Sequence, residues 1–513
     1  MPSHKKRNGN EVDALLFENV KATPQSHRFF LAGEEVDLAR KPFLQYHSLA
    51  PDEYIRLRIL EAEKSGQDVF PEIVGKNLEK ELVKDALFSG SPIIFRGEKG
   101  YGKTTFSKAI AKLLPERLLT IDGCSIHDDP IQPKCFSCRS KLISHDEIHL
   151  AWTPRIWVRI PGDPMLTTRQ LIGGISIQKI REGYDLDSPD VFIPGRALKA
   201  NRGVGYFDEL GAIPTSLQTM LHELFEEGQV STSEGDIFPL GISSIEVAST
   251  NPANYKGTSP IKEPLLDRME AVEIGPPATL EEEIEIATRN LHSSSLPDSQ
   301  PSIPYWHERI IARNVRFARN SDESEIASKL QVRPSCRATI KLFDHVLSKA
   351  LIGGRRVPLL RDYGDEREML KLALAGRIEL DYGVKETKED IIRSLFEEAL
   401  KETSKEMYDL IPDEDFEVFY KGILKCATKE NGHSYLSIDE TSIKKLKNST
   451  VVHSTLKSII NGNEDHYVSA VEILLLSMSL CIPSYVERRG TKYYLKASKL
   501  EEIKRDALAN QAA

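Results

Sequence analysis

The sequence predicts an α/β nucleotide-binding domain built on a largely parallel sheet, followed by a helical domain and a smaller C-terminal domain. Three observations carry this. The chain has 513 residues, well beyond the roughly 150 of one compact domain, which points to about three. Between Pro71 and Pro277, short apolar runs (PIIF, LLTI, IWVRI, VGYF, IEVAS) alternate with amphipathic stretches, the texture of parallel strands joined by crossover helices. A glycine-rich loop, Gly97 to Thr104, stands between one such run and a helix-forming stretch.

Taken in order, residues 1 to about 12 read as a solvated tail, with His4, Lys5, Lys6 and Arg7 among polar neighbours. EYIRLRILEAEK has apolar residues at helical spacing, so residues 1–70 are expected to be a tail and a helical segment. Residues 71–277 form the expected α/β domain. From TLEEEIEIATRNL to KLFDHVLSKALI helices dominate, broken by the loop-like HSSSLPDSQPS, giving a helical domain over 278–385. Residues 386–513 open with the amphipathic TKEDIIRSLFEEALKETSKEMYDL and close with two alternating runs around Arg489-Gly490, a hairpin signal that suggests a winged-helix-like accessory domain. The most apolar run, VEILLLSMSLCIPSYV, is too short to span a bilayer and reads as a core helix stopped by Pro483.

With 40% hydrophobic and 28% charged residues, the composition excludes a wholly disordered or membrane-embedded chain. The net charge of -9 argues against a surface dominated by phosphodiester contacts. Six cysteines are too few for a disulfide scaffold, and MPSHKKRNGNEVDA has no apolar stretch behind its basic patch, so the expected compartment is the reducing cytoplasm, without membrane insertion.

GEKGYGKT fits G-x-x-x-x-G-K-[ST]. Polyanionic phosphates need several backbone N–H donors converging without side chains in the way, and Gly97, Gly100 and Gly102 allow that approach while the new helix adds its positive end. The binding segment is Gly97, Glu98, Lys99, Gly100, Tyr101, Gly102, Lys103, Thr104 and Thr105. Lys103 would neutralise the β- and γ-phosphates of ATP and the Thr104 hydroxyl would ligate Mg²⁺. Downstream, the apolar run Val204 to Phe207 ends in an acidic pair. Asp208 would hold the Mg²⁺ shell, and Glu209 would orient and polarise the attacking water.

FPEIVGKNLEKELVKDAL followed by IIFRGEKGYGKTTFSKAIAKLLP resembles the opening of the magnesium-chelatase I-subunit and MoxR group of AAA+ ATPases, and LIGGISIQKIREG with VFIPGRALKANRGVGYFDEL extends the likeness, which covers about Pro71 to Ala350. The resemblance implies an AAA+ P-loop domain with hairpin insertions, in keeping with the 105 residues between Lys103 and Asp208, and a helical lid after it. It implies ATP hydrolysis in a ring, most often hexameric, that remodels a partner protein with a von Willebrand A-type domain. It also implies that Asn251, in IEVASTNPANY, helps orient water, that Arg268, in EPLLDRMEAVEIG, completes the neighbouring subunit's site, and that Arg337, in RPSCRATIKL, senses the γ-phosphate from the lid. The acidic pair continues as Leu210-Gly211, where chelatase I subunits tend to have Val-Asn.

GCSIHDDPIQPKCFSC sets Cys124, His127, Cys135 and Cys138 in a C-x2-H…C-x2-C array. Soft thiolates and an imidazole at this spacing can wrap a tetrahedral Zn²⁺, and unligated thiols remain the alternative. Relatives carry a cysteine-containing insert here whose second cysteine falls at Asp128. Cys336, Cys426 and Cys481 sit in helical patterns and read as small hydrophobes. A DNA-dependent motor is the competing function, suggested by the C-terminal domain and by ARNVRFARN, where Phe317 interleaves with arginines.

Overall fold

The computed structural model describes residues 28–38, 49–144, 147–185, 191–227, 230–231, 237–238, 242–251, 261–292, 301–410, 413–430, 432–490 and 492–496. The basic tail around His4 and Arg7 and most of the HSSSLPDSQPS loop lie outside them. The chain forms two compact units, Met1–Gly275 and Pro276–Ala513.

The first unit opens with β1 (Arg28–Leu31), β2 (Glu34–Val36), α1 (Pro51–Ser65) and α2 (Asn77–Ser89). It continues with β3 (Ile93–Arg96), α3 (Lys103–Lys112), β4 (Arg117–Ile121), α4 (Phe136–Ser144), β5 (Glu147–Pro154) and β6 (Trp157–Pro161). Then come β7 (Gly173–Ile175), β8 (Phe192–Pro194), β9 (Val204–Asp208), α5 (Thr215–Glu227), β10 (Val230–Ser231), β11 (Ile237–Phe238), β12 (Ile245–Thr250) and β13 (Glu270–Glu273). All five apolar runs read from the sequence are strands.

Five of these strands form a parallel sheet in the order β13-β3-β12-β9-β6. Its central strands are buried on both faces, as Ile93, Ile94, Phe95, Val204, Tyr206, Phe207, Val247 and Ala248 show, so they read as continuous apolar runs rather than alternating ones. Because the sheet is parallel, the loops after β3, β9 and β12 emerge at one edge, where open α/β sheets bind ligands. That edge receives the glycine loop, the acidic pair and Asn251. The helix α3 buries Phe106, Ile110 and, just past its end, Leu114 beneath the sheet, while Leu113 is half-buried.

Two antiparallel pieces are inserted between Lys103 and Asp208. One is the β7–β8 hairpin. The other pairs β4 with β5, and β5 pairs in turn with β1, giving a sheet of order β2-β1-β5-β4. The strands β1 and β2 fall in the segment expected to be only tail and helix. They are four and three residues long, too short for a period to show, and turn at Ala32-Gly33, both at positive φ (52° and 86°). Phe29 buries into a small core with Leu119, Ile121, Ile148 and Leu150.

The second unit contains α6 (Leu280–Arg289), α7 (Tyr305–Phe317), β14 (Leu330–Val332), α8 (Cys336–Ile352), β15 (Glu379–Leu380) and α9 (Lys388–Asp409). It ends with α10 (Asp413–Cys426), β16 (Thr428–Glu430), β17 (His433–Ser437), α11 (Glu440–Asn448), α12 (Thr450–Ile459), α13 (Tyr467–Cys481), β18 (Val486–Arg489) and β19 (Lys492–Leu495). The hairpin expected at Arg489-Gly490 is present, with Arg489 opposite Lys492 in a sheet of order β16-β17-β19-β18. A single hydrophobic core runs from Ala287 through Trp306, Phe343, Phe396 and Leu474 to Leu495, across the sequence boundary placed at 385. The apolar run of the C-terminus is α13, buried nearly all round, as a helix without a polar face must be. No described helix is long and apolar enough to cross a membrane. Cys336 and Cys426 are buried and Cys481 is half-buried.

Candidate nucleotide site

The glycine loop is held tightly against the rest of the sheet edge. At Gly97, where φ is 150°, a Cβ would lie 2.2 Å from the Ile274 carbonyl oxygen, so no larger residue fits. Gly100 and Gly102 have φ of 89° and 100°, a conformation that glycine adopts without steric cost. Gly102 is the N-cap of α3, and nothing lies within 4 Å of its Cβ position. Tyr101 turns inward and donates to Glu98 Oε2 at 3.0 Å.

Lys103 is buried, 8% exposed, and its ammonium bonds the carbonyls of Gly97 and Glu98, the latter at 3.0 Å, and Asn251 Oδ1 at 3.3 Å. The lysine of the loop and the asparagine after β12 therefore meet. Thr104 Oγ1 lies 3.1 Å from the hydroxyl of Tyr206, which donates to Asp208 Oδ1 at 3.0 Å. One buried phenol thus joins the two oxygens expected to serve Mg²⁺. Hydroxyl and carboxylate are the hard oxygen donors that this cation takes, so the donor set fits it.

Asp208 is densely bonded. Ser249 Oγ donates to Oδ1 at 2.7 Å, and Arg159 on β6 grips Oδ2 with Nε at 3.0 Å and with its terminal amino group. Burial opposes ionisation of this carboxyl, but the hydrogen bonds from Ser249, Arg159 and Tyr206 and the guanidinium charge outweigh it and hold the group below the usual carboxylate range. Tyr206, stacked on Trp157 with ring centroids 5.8 Å apart, is pushed up to about 12 by burial, so it remains a hydrogen-bond donor at neutral pH.

Glu209 has a left-handed backbone, φ 56°, unusual for a residue with a Cβ. Its amide donates to Ser249 Oγ at 3.1 Å and its carboxylate pairs with Lys99 at 3.2 Å. The Lys99 partnership gives that loop residue a role beyond the phosphate cradle. Glu98 and Thr105 are both exposed.

Arg268 lies before β13, bonded to the Pro264 carbonyl at 3.0 Å and paired with Glu226 of α5 at 2.8 Å. Arg337 is exposed in the first turn of α8, in the second unit. Sequence reasoning missed Arg159, Tyr206 and Ser249. Tyr206 stands two residues before Asp208 on β9, so the period of two puts both on one face, whereas Ser249 lies near the end of β12 and Asn251 just beyond it. Arg159 carried no local signal, because its role comes from β6 pairing with β9.

The cysteine array is corrected in one member. Cys124, Cys135 and Cys138 do converge, but the fourth group is Asp128, and His127 is not among them. The reason is local: His127 takes a left-handed backbone, φ 58°, and Asp128, next in the chain, is the residue whose side chain enters the cluster. The arginines of ARNVRFARN are also accounted for. Arg313 pairs with Glu406, Arg316 with Glu323 and Arg319 with Glu283, and Phe317 is buried, so the stretch is interior structure.

No family model matches the chain. It is similar to the magnesium-chelatase 38 kDa subunit of Acidiphilium rubrum, 27% identical over 198 residues, which is 38% of this chain and 54% of that protein. It is 29% identical over 171 residues to the chloroplastic magnesium-chelatase subunit ChlI-2 of Arabidopsis thaliana, 32% of this chain and 38% of the relative. It is 31% identical over 148 residues to a ChlI homolog of Methanocaldococcus jannaschii, 28% of this chain and 38% of the relative. The chain thus spans 38% to 54% of the length of these curated relatives. Among solved structures, a BchI–BchD complex of magnesium chelatase aligns at 20% identity and a TM-score of 0.32, over 64% of this chain and 100% of that one. The RuvB branch-migration motor of Thermotoga maritima aligns at 14% and 0.30, over 85% and 99%. At such TM-scores these two likenesses add no weight.

Proposed function

We propose that this chain, which belongs with the AAA+ ATPases of the magnesium-chelatase I-subunit and MoxR group, hydrolyses ATP at the β3–β9–β12 edge and uses the energy to remodel a partner protein. One observation carries the reading: three strand ends deliver Lys103, Asn251, Asp208 and Glu209 to one place, with Tyr206 tying Thr104 to Asp208. Gly97 to Thr105 cradles the triphosphate on backbone amides, Lys103 offsets its charge, and Thr104 and Asp208 would hold Mg²⁺. Bound Mg²⁺-ATP supplies the phosphoanhydride bond and a dication to neutralise it. Glu209, half-exposed beside the loop, accepts the proton of the attacking water, and Asn251 orients that water.

Arg268, paired with Glu226 just before β13, would serve a neighbouring copy in a ring, and Arg337 is the candidate sensor of the lid. Six copies, a von Willebrand A-domain partner and a cytoplasmic setting complete the proposal, on the strength of the resemblance. The interior placement of the ARNVRFARN arginines favours a protein client over DNA.

Turnover of Mg²⁺-ATP by the purified chain tests it. Lys103→Ala should abolish nucleotide binding, whereas Glu209→Gln should bind a fluorescent ATP analogue normally and hydrolyse ATP about 10²- to 10⁴-fold more slowly. Mixing Glu209→Gln with Arg268→Ala, each inactive alone, should restore turnover if the arginine acts between copies. Wild-type protein that neither binds nor cleaves ATP would overturn the reading.

A further inference from the structure

The cluster on the β4–β5 insertion presents one ligand atom each from Cys124, Asp128, Cys135 and Cys138, all within 4.8 Å of one another. The sulfurs of Cys124 and Cys135 are 3.9 Å apart. Tetrahedral zinc with Zn–S bonds of about 2.3 Å sets neighbouring sulfurs about 3.8 Å apart. Asp128 is 0% exposed; one carboxylate oxygen accepts the Cys135 amide at 2.7 Å, and the other, Oδ1, has no hydrogen-bond partner. A buried carboxylate oxygen left unpaired beside three thiols is costly unless a cation takes it.

The surrounding amides are arranged for anionic sulfur. Asp128 N–H points to Cys124 Sγ and Cys138 N–H to Cys135 Sγ, each at 3.4 Å. Such donors favour thiolate over thiol, and support of this kind is what fixes metal ligands in place. His127 is turned out of the cluster by its left-handed backbone, and its carbonyl accepts from Arg202 at 3.3 Å.

We propose that Cys124, Asp128, Cys135 and Cys138 form a closed, structural Zn²⁺ site of three thiolates and one carboxylate. On loading, each thiol proton is released to solvent, zinc stays divalent and no electron moves. With all four positions taken by protein, the site has no open place for substrate, so its work is mechanical. Cys124 and Cys135 pack against both the insertion core and the core under the parallel sheet. The loop they bracket is tied to the start of β9: Asn201 Nδ2 donates to the Ile126 carbonyl at 2.9 Å and Arg202 pairs with Asp129 at 3.1 Å. The metal therefore staples the insertion to the strand that ends in Asp208.

Elemental analysis of the full chain, purified without added metal, should find one zinc per chain. Anaerobic replacement with Co²⁺ should give a thiolate-to-cobalt band in the near ultraviolet and the intense visible bands of tetrahedral cobalt. Cys138→Ser and Asp128→Ala should each lower zinc affinity at least tenfold, and His127→Ala should leave it unchanged. Should a cysteine variant fail to fold, wild-type protein still decides the matter: stripping zinc with a chelator should lower the unfolding midpoint, and zinc, but not magnesium, should restore it. Zinc-free wild-type protein that gives no cobalt band overturns the site. Loss of metal in His127→Ala with retention in Asp128→Ala overturns this donor set.

Discussion

Tyr206 sits wholly inside the first unit, and its hydroxyl touches both Thr104 and Asp208. Tyr206→Phe keeps the ring stacked on Trp157 and removes the hydroxyl with its bonds to Thr104, Asp208 and Ser249. Stability should fall by about 1 kcal/mol, the usual worth of a net hydrogen bond, and ATP turnover should fall more than nucleotide affinity. Steady-state kinetics beside a binding titration would show the split. Asp208 itself adds an acid-sensitive contribution. Its folded-state carboxyl lies below the ordinary 3.8 of an aspartate, so its stabilising effect is in full force above that value and is lost as pH falls through the lower, folded one. Much of this residue-level chemistry was legible. Lys103, Thr104, Asp208 and Glu209 announce themselves because phosphate and metal chemistry demand those types after a strand. Arg159 and Asp128 did not, since one depends on which strands become neighbours and the other on a single left-handed residue before it.

At the level of elements, the approach of β6 to the end of β9 controls where Glu209 sits. Gly162, just after β6, donates its amide to the Asp208 carbonyl at 2.6 Å, and a Cβ there would lie 2.1 Å from the Glu209 carbonyl oxygen. Gly162→Ala must push the acidic turn outward. A displacement of about 1 Å costs on the order of a hundredfold in rate, so hydrolysis should drop by that factor while nucleotide affinity holds. Equal loss of both would show that the turn also shapes the phosphate cradle. The parallel strands were readable because they are apolar on both sides and regularly spaced by helices. The hairpin of β1 and β2 was not, because RFFL and EEV are too brief to carry a period, and their stability comes from pairing with β5, 119 positions from Arg28 at Glu147.

For the whole chain, the pH response should be shaped by two buried groups of the second unit. His307 is enclosed, bonded to Tyr363 at 2.9 Å and Ser469 at 3.0 Å, and burial pushes its imidazole down to about 3 from 6.5. The unfolded chain therefore binds a proton that the folded one refuses, and stability should fall as pH drops below 6.5. Glu472 is the converse. Burial pushes its carboxyl up to about 7 from 4.5, so stability is lost as pH rises across that interval. Glu472→Gln keeps an oxygen for the Leu360 amide, bonded now at 2.7 Å, and should stabilise the protein by roughly 3 kcal/mol at most at pH 8, with little effect near pH 4.5. Urea melts at the two pH values would reveal a gain of the wrong sign. The two-unit organisation differs from the sequence division at 385 for a physical reason: the amphipathic stretch that opens there is α9, started by the capping box of Thr387 and Asp390, and the core continues through it.

The backbone of Glu209 carries one more implication. A carboxylate-bearing residue kept at φ 56° would gain ease from replacement by glycine, which occupies that region freely. A library screened for heat resistance alone should therefore enrich glycine at position 209 and, in the same step, discard the group proposed to activate water.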